Sequence, residues 1–234
     1  MFIGHLAVGF AAKRLAPKAS LGTLLASAEL ADILFPILVL LGWESAGYVG
    51  GANPFLALKL DDYPISHSLL ALIVWGALVA LLYRWRRGYA RGAVVVGSLV
   101  VSHWVLDFIS HRPDMPLWPG GPKVGLELWA SVPGTVVVEG SLFVCGVWLY
   151  ASGTRARDAV GRFGLWGLVA LLALLYTASL LPAGAPSPTA FAVVGMIITA
   201  VFLSLGVWVD HHRAVRGGEA RGAPEARGAE ASGR

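Results

Sequence analysis

In the run SHWVLDFISHRPDMPLWPGG, residues 102–121, His103, Asp107 and His111 stand at i, i+4 and i+8. That spacing puts all three on one face of a helix, one turn apart. Glu29 and Asp32 repeat the pattern at i, i+3, and His5, His67 and Glu139 add further ionisable groups inside otherwise apolar segments. Imidazole and carboxylate together suit zinc, manganese or iron, so His5, Asp32, His67, His103, Asp107 and His111 are the candidate ligands of a divalent metal. A cation would also offset the mutual repulsion of several carboxylates buried near one another. Glu139 and Glu29 are the candidate general bases. Arg112 and Lys123, just beyond the run, are candidates for holding an anionic head group.

The segments that must position these groups are membrane spans. Apolar residues make up 56% of the chain and charged residues only 14%. Mostly apolar runs of about 18 residues or more read as transmembrane helices, because a bilayer leaves each span to satisfy its own backbone. Six such runs are present: Leu21–Gly42, Ile65–Tyr83, Gly92–Ser110, Gly134–Ala151, Phe163–Leu181 and Thr189–Val209. A shorter segment, Phe2–Ala16, precedes them; Lys13 and Arg14 follow its apolar part, which is the reverse of a signal peptide. The expected fold is an all-α polytopic bundle of six full spans plus a short N-terminal membrane helix. Residues 1–150 carry the polar groups, 160–210 are scaffold spans within a membrane domain of residues 1–212, and the Gly-, Ala- and charge-rich tail 213–234 is expected to be disordered.

Charge sets the expected orientation. Basic residues gather in alternate loops, as Lys13, Arg14 and Lys18, then Arg84, Arg86, Arg87 and Arg91, then Arg155, Arg157 and Arg162, then Arg213 and Arg216. By the positive-inside bias these segments and the C-terminus are cytoplasmic, and loops 43–64, 111–133 and 182–188 face outward. The net charge of +4 therefore needs no nucleic-acid partner. The lone Cys145 excludes an intrachain disulfide and a cysteine-based zinc cluster. Counted along their segments, His5, Asp32 and His103 lie at a common depth of roughly 16 Å from the inner end, and Asp107 and Glu139 at roughly 20–22 Å.

Blander readings exist for individual residues. An intramembrane His or Asp can serve as a helix–helix hydrogen-bond partner. Asp114, beside Pro113 and Pro116, is expected to build a turn; Ser66 and Ser102 are expected to bond backward along their helices; Pro36 is expected to kink the first full span.

The segments GHLAVGFAAKR, DDYPISHSLLA and SHWVLDFISHRPDMPLWPGGPKVGLELW, over residues 1 to about 150, resemble a family of small bacterial integral membrane proteins. That family is in turn distantly similar to the membrane-bound metal-dependent hydrolases of the bacterial inner membrane. Their recurring Gly-His, Asp-x-Asp-His, Thr-His-Ser-Leu-Leu and Ser-His-x-x-x-Asp match His5, Asp32, His67 with Ser68-Leu69-Leu70, and His103 with Asp107. Leu34 and Phe35 stand where the second motif has its second aspartate and its histidine. The resemblance implies a metal-dependent hydrolase, and an outward-opening site at bilayer depth suggests action from the outer face on a lipid or lipid-linked substrate. The residues alone also allow an ion- or proton-handling transporter, or a non-catalytic membrane protein whose His/Asp cluster is structural.

Overall fold

A computed structural model of the chain describes residues 1–181 and 187–216. It is an all-α bundle. Among the described residues, five helices are long and apolar enough to cross a membrane: α5 (Leu69–Arg87), α6 (Ala90–Ser110), α7 (Val132–Gly153), α8 (Ala159–Ser179) and α9 (Pro188–His211). A bent pair, α2 (Leu21–Ala28) and α3 (Leu30–Leu40), meets at 58° and is apolar enough to make a sixth if the two count as one span. The protein is accordingly a multi-pass membrane protein. Large apolar side chains such as Trp85, Val94, Val144, Phe163 and Leu174 point outward, as a lipid-facing surface requires.

The short helix α1 (Ile3–Ala11) is not peripheral. Its nine residues reach only about 14 Å, and it lies inside the bundle with Leu6 and Phe10 fully buried. These side chains join Leu21 and Leu25 of α2, Phe143 and Val147 of α7, Leu165, Leu168 and Leu172 of α8, and Phe202 of α9 in one apolar core. The hairpin α5–α6 packs through small residues, since a Cβ on either Gly76 or Gly97 would stand 2.8 Å from the other's carbonyl oxygen. Close backbone approach of this kind substitutes in membranes for the hydrophobic force that lipid removes.

Two expected spans are broken, each beside a site residue. The first full span bends at Glu29, whose backbone (φ −95°, ψ 7°) leaves the helix, and not at Pro36, which is built into α3. The next expected span, from Ile65, opens as a single turn, α4 (Pro64–His67), before α5 begins. Pro64 sits in its first turn, where a missing N–H costs nothing. Ser68 is extended (ψ 146°) and caps α5 by accepting the Ala71 N–H at 3.2 Å.

One end of the bundle is basic. Lys18 lies over Tyr89 at the α5–α6 turn. Arg14 donates to Leu149 O and Ser152 Oγ, and Arg213 and Arg216 donate to Thr154. The first residues of the tail expected to be disordered are ordered. Arg213–Val215 (β6) pairs antiparallel with Thr154–Ala156 (β5), and residues 217–234 lie outside the described residues, as do 182–186 of the expected outer loop 182–188. The opposite end is covered by two ribbons, Ser45–Tyr48 (β1) with Leu58–Asp62 (β2) and Met115–Pro116 (β3) with Lys123–Val124 (β4).

Candidate metal centre

Beneath those ribbons the breaks and helix ends converge. His5 comes from α1, Asp32 from α3, His67 from the α4 turn, and His103 and Asp107 from α6; His111 caps the end of α6. Six residues from four places in the sequence meet around one carboxylate. Asp107 is 2% exposed and presents its two oxygens to different neighbours. Oδ2 lies 3.1 Å from His103 Nε2 and 4.0 Å from His67 Nε2. Oδ1 lies 3.0 Å from His5 Nε2 and 3.7 Å from His111 Nε2, and the Met1 amino group also rests on it. Asp32 reaches the same centre, with Oδ1 3.4 Å from His67 Nε2 and Oδ2 3.8 Å from His103 Nε2.

The far nitrogens decide which ring atom faces inward. His103 Nδ1 is 2.7 Å from the Ala28 carbonyl oxygen, which can only accept, so Nδ1 carries the hydrogen. His111 Nδ1 donates to Asp114 Oδ1 at 3.0 Å by the same logic. His67 Nδ1 lies 2.7 Å from Ser66 Oγ, whose own hydrogen is given to Glu44 Oε2 at 2.6 Å. Ser66 therefore accepts from His67. In their neutral forms all three rings turn an Nε2 lone pair toward carboxylate oxygens. This is the arrangement by which second-shell acceptors prepare histidines for metal binding.

Lone pairs facing carboxylates repel unless a cation lies between them. His103 Nε2 is buried, makes no hydrogen bond, and yet stands 3.1 Å from Asp107 Oδ2. Ligand atoms bound at about 2.0–2.2 Å to one metal are about 3.0–3.5 Å apart. The 3.1 and 3.4 Å separations fall in that range, and the 3.8 and 4.0 Å ones are a few tenths longer. The donor set of two imidazoles and two carboxylates thus fits a divalent cation. Two groups of donor atoms lie mutually within 4.8 Å: Asp32, His67 and His103, and His5, His103 and Asp107. His5 also stacks on His103, ring centroids 3.7 Å apart.

Comparison of the chain with protein-family models, curated proteins and solved structures gave no match. The reading of this site therefore rests on its own geometry.

A cavity of about 200 Å³ adjoins the cluster. Asp32, His67, Asp107 and His111 form its polar wall, and Phe35, Phe55, Trp129 and Phe191 its aromatic one. Asp32 is the most exposed of the proposed ligands, its side chain 39% exposed while His103 and Asp107 are 0% and 2%. Glu139 also lines the cavity; its Oε2 accepts the Phe2 and Gly4 N–H groups and its buried Oε1 has no partner. Glu29, the other candidate base, is buried at the α2–α3 break and does not line the cavity.

Three expectations change. Arg112 and Lys123 do not line the cavity; Arg112 Nε pairs with Asp114 Oδ2 at 3.3 Å, and Lys123 lies in β4. Loop residues a few positions from a helix end are free to point away from it, and spacing alone does not fix them. The spans of 160–210 are not scaffold only, because Ser179 of α8 and Phe191 of α9 reach the cavity. Asp114 and Ser66, expected as turn and helix-bonding residues, are partners of site histidines. Glu44 was missed altogether: its Oε1 accepts the Ile65 and Ser66 N–H groups at 2.7 and 2.8 Å and so anchors the α4 turn that carries His67. Asp114 was findable as i+3 from His111; Glu44, twenty-three residues before His67 in a loop, carries no local signal.

Proposed function

We propose that the protein is a membrane-embedded, metal-dependent hydrolase with Asp32, His67, His103 and Asp107 as its metal ligands. The observation that carries this reading is the set of fixed tautomers: three imidazoles held at Nδ1 by oxygen acceptors, their Nε2 atoms aimed at two carboxylates beside a cavity. A bound divalent ion supplies an acidified water and polarises a phosphoryl or carbonyl oxygen. His5, stacked on His103, holds the other oxygen of Asp107. Glu139, unpartnered at Oε1, is the base or proton carrier at the cavity wall, and the backbone amides of Phe2 and Gly4 fix its other oxygen. The aromatic wall excludes water from the reacting group.

With the basic end of the bundle in the cytoplasm, the cavity opens toward the outer face and the C-terminus is cytoplasmic. A polar centre at bilayer depth suits the head group of a lipid or lipid-linked molecule. The resemblance to bacterial membrane-bound metal-dependent hydrolases agrees with this reading and with a bacterial inner membrane. Elemental analysis of the detergent-purified protein tests it. Zinc, manganese or iron should be present in the wild type and lost in His103→Ala and Asp107→Ala, and the metal-loaded wild type should cleave a member of a phospholipid and lipid-linked phosphate panel. A folded protein that takes up none of these metals sinks the proposal.

A further inference from the structure

We infer that the cluster is built for two cations, with Asp107 as the carboxylate that bridges them; the inference rests on the metal-centre reading above. Within the i, i+4, i+8 triad, His103 and His111 flank Asp107 on the same helix, one turn to either side. Each takes one of its oxygens: His103 at Oδ2, His111 at Oδ1. Both rings are held in the same tautomer, by Ala28 O and by Asp114 Oδ1. His111 Nε2 therefore faces Oδ1 as an acceptor facing an acceptor, 3.7 Å away, just as His103 Nε2 faces Oδ2.

The first position, at Oδ2, has Asp32 and His67 to complete it. The second, at Oδ1, has His111 Nε2 and also His5 Nε2 at 3.0 Å. The Met1 amino group lies on the same oxygen, which marks it as a place that holds positive charge and from which a second ion would displace the ammonium. An independent feature points the same way. Glu139 Oε1 is buried, lacks any hydrogen-bond partner, and lines the same cavity as Asp107 and His111. A second ion there would give that oxygen a partner. A carboxylate shared through its two oxygens holds ions about 3.5–4 Å apart, the spacing at which two metals can clamp attacking and leaving oxygens together. The second position would take a hard or borderline divalent ion such as manganese or zinc, given its imidazole and carboxylate donors.

The test is stoichiometry on the full chain. The purified protein is stripped with a chelator, reloaded with manganese(II), and assayed for bound metal and by electron paramagnetic resonance. Two ions per chain with a spin-coupled spectrum are expected in the wild type. His111→Ala and the gentler His111→Gln should each bind one ion with an uncoupled spectrum, and His67→Ala should likewise keep only one. Retention of that ion shows that the variants fold. One ion per chain in the wild type overturns the bridged pair and leaves the single-metal reading standing. Loss of both ions, or of neither, in both His111 variants also overturns it. No bound metal in the wild type overturns both readings.

Discussion

Two aspartates at opposite ends of the bundle show how differently one residue type can be buried. Asp210, at the basic end of α9, is saturated. Its Oδ2 accepts from Lys13 Nζ at 2.7 Å and from the Leu21 N–H at 3.0 Å, and its Oδ1 accepts from Tyr150 at 2.8 Å. Lys13 also donates to Ala19 O at 2.8 Å. Four elements are tied by one carboxylate with every charge answered. Asp107, at the other end, is answered on one side only: the Met1 amino group and His5 Nε2 rest on its Oδ1, while His103 Nε2 and Glu139 Oε1 near it are buried without partners. A buried polar cluster that only fastens helices should look like the first. The second has the incompleteness of a site that awaits a charge, and incompleteness of this kind costs stability that natural proteins accept only where function requires it.

The largest effect should come from breaking the saturated cluster. Asp210→Ala leaves Lys13 charged and buried without its counter-ion, and removal of one partner of such a pair costs about 3–5 kcal/mol. Thermal unfolding in detergent should show this as a large fall in melting temperature. The double replacement Lys13→Met with Asp210→Leu should restore most of it, because the charge and its desolvation go together. Asp107→Asn in metal-free protein should cost less, since the amide oxygen still accepts from the Met1 amino group and the change relieves the carboxylate facing His103 Nε2. Equal losses for Asp210→Ala and Asp107→Asn would erase the distinction drawn between the two clusters.

Metal should then narrow the gap. A cation bound only by the folded state stabilises it by about 2.7 kcal/mol at a concentration one hundred times the dissociation constant. The wild type should gain this on titration with manganese or zinc, while Asp107→Ala should gain nothing. The saturated cluster predicts no such response: the Lys13→Met, Asp210→Leu protein should show the full metal-dependent gain.

A smaller effect tests the support beneath the site. Glu44 and Ser66 are not themselves proposed ligands but hold His67 in its tautomer and anchor the turn that carries it. Outer partners of this sort are worth about tenfold to a hundredfold in metal affinity. Ser66→Ala should weaken manganese binding by that factor, read by calorimetry, with the stoichiometry unchanged. An unaltered affinity would mean that His67 is placed by packing against Phe35 and Tyr63 alone.

Much of this contrast is legible in the chain itself, and the illegible part has physical reasons. Helix periodicity places His103, Asp107 and His111 on one face, and the rarity of charge in apolar runs singles out His5, Asp32, His67 and Glu139. Their convergence follows once each lies at similar depth in the bundle. What the pattern hides is how the spans break. Glu29 sits in a helix-compatible sequence and yet the helix bends there, whereas Pro36, the obvious breaker, lies within α3. His67 reads as the start of a span because Pro64 and Ser68 are consistent both with a span start and with a separate turn. Glu44 is bonded to residues twenty-one and twenty-two positions later through backbone amides exposed only by that turn. Arg112 and Lys123 show the converse, charges close in sequence to the site that the loop carries elsewhere.

A third aspartate closes the series at the exposed extreme. Asp158 caps α8, its Oδ1 accepting the Gly161 N–H at 2.8 Å, and its Oδ2 pairs with His212 at 2.6 Å. The Gly161 amide first, and His212 second, hold its carboxyl below the ordinary value of 3.8. A folded-state value below the unfolded one means that the contribution is complete above the ordinary value and disappears as pH falls through the lowered one. The window therefore lies below about pH 4. Because the group is solvated, its effect should be smaller than that of any change at Asp210, Asp107 or Ser66. Asp158→Asn keeps an oxygen to cap α8 but cannot titrate, so it should lower the melting temperature slightly near neutral pH and lose less than the wild type on further acidification. A wild type and an Asp158→Asn variant with parallel acid profiles would show that this carboxylate, unlike Asp210 and Asp107, has no electrostatic role in the fold.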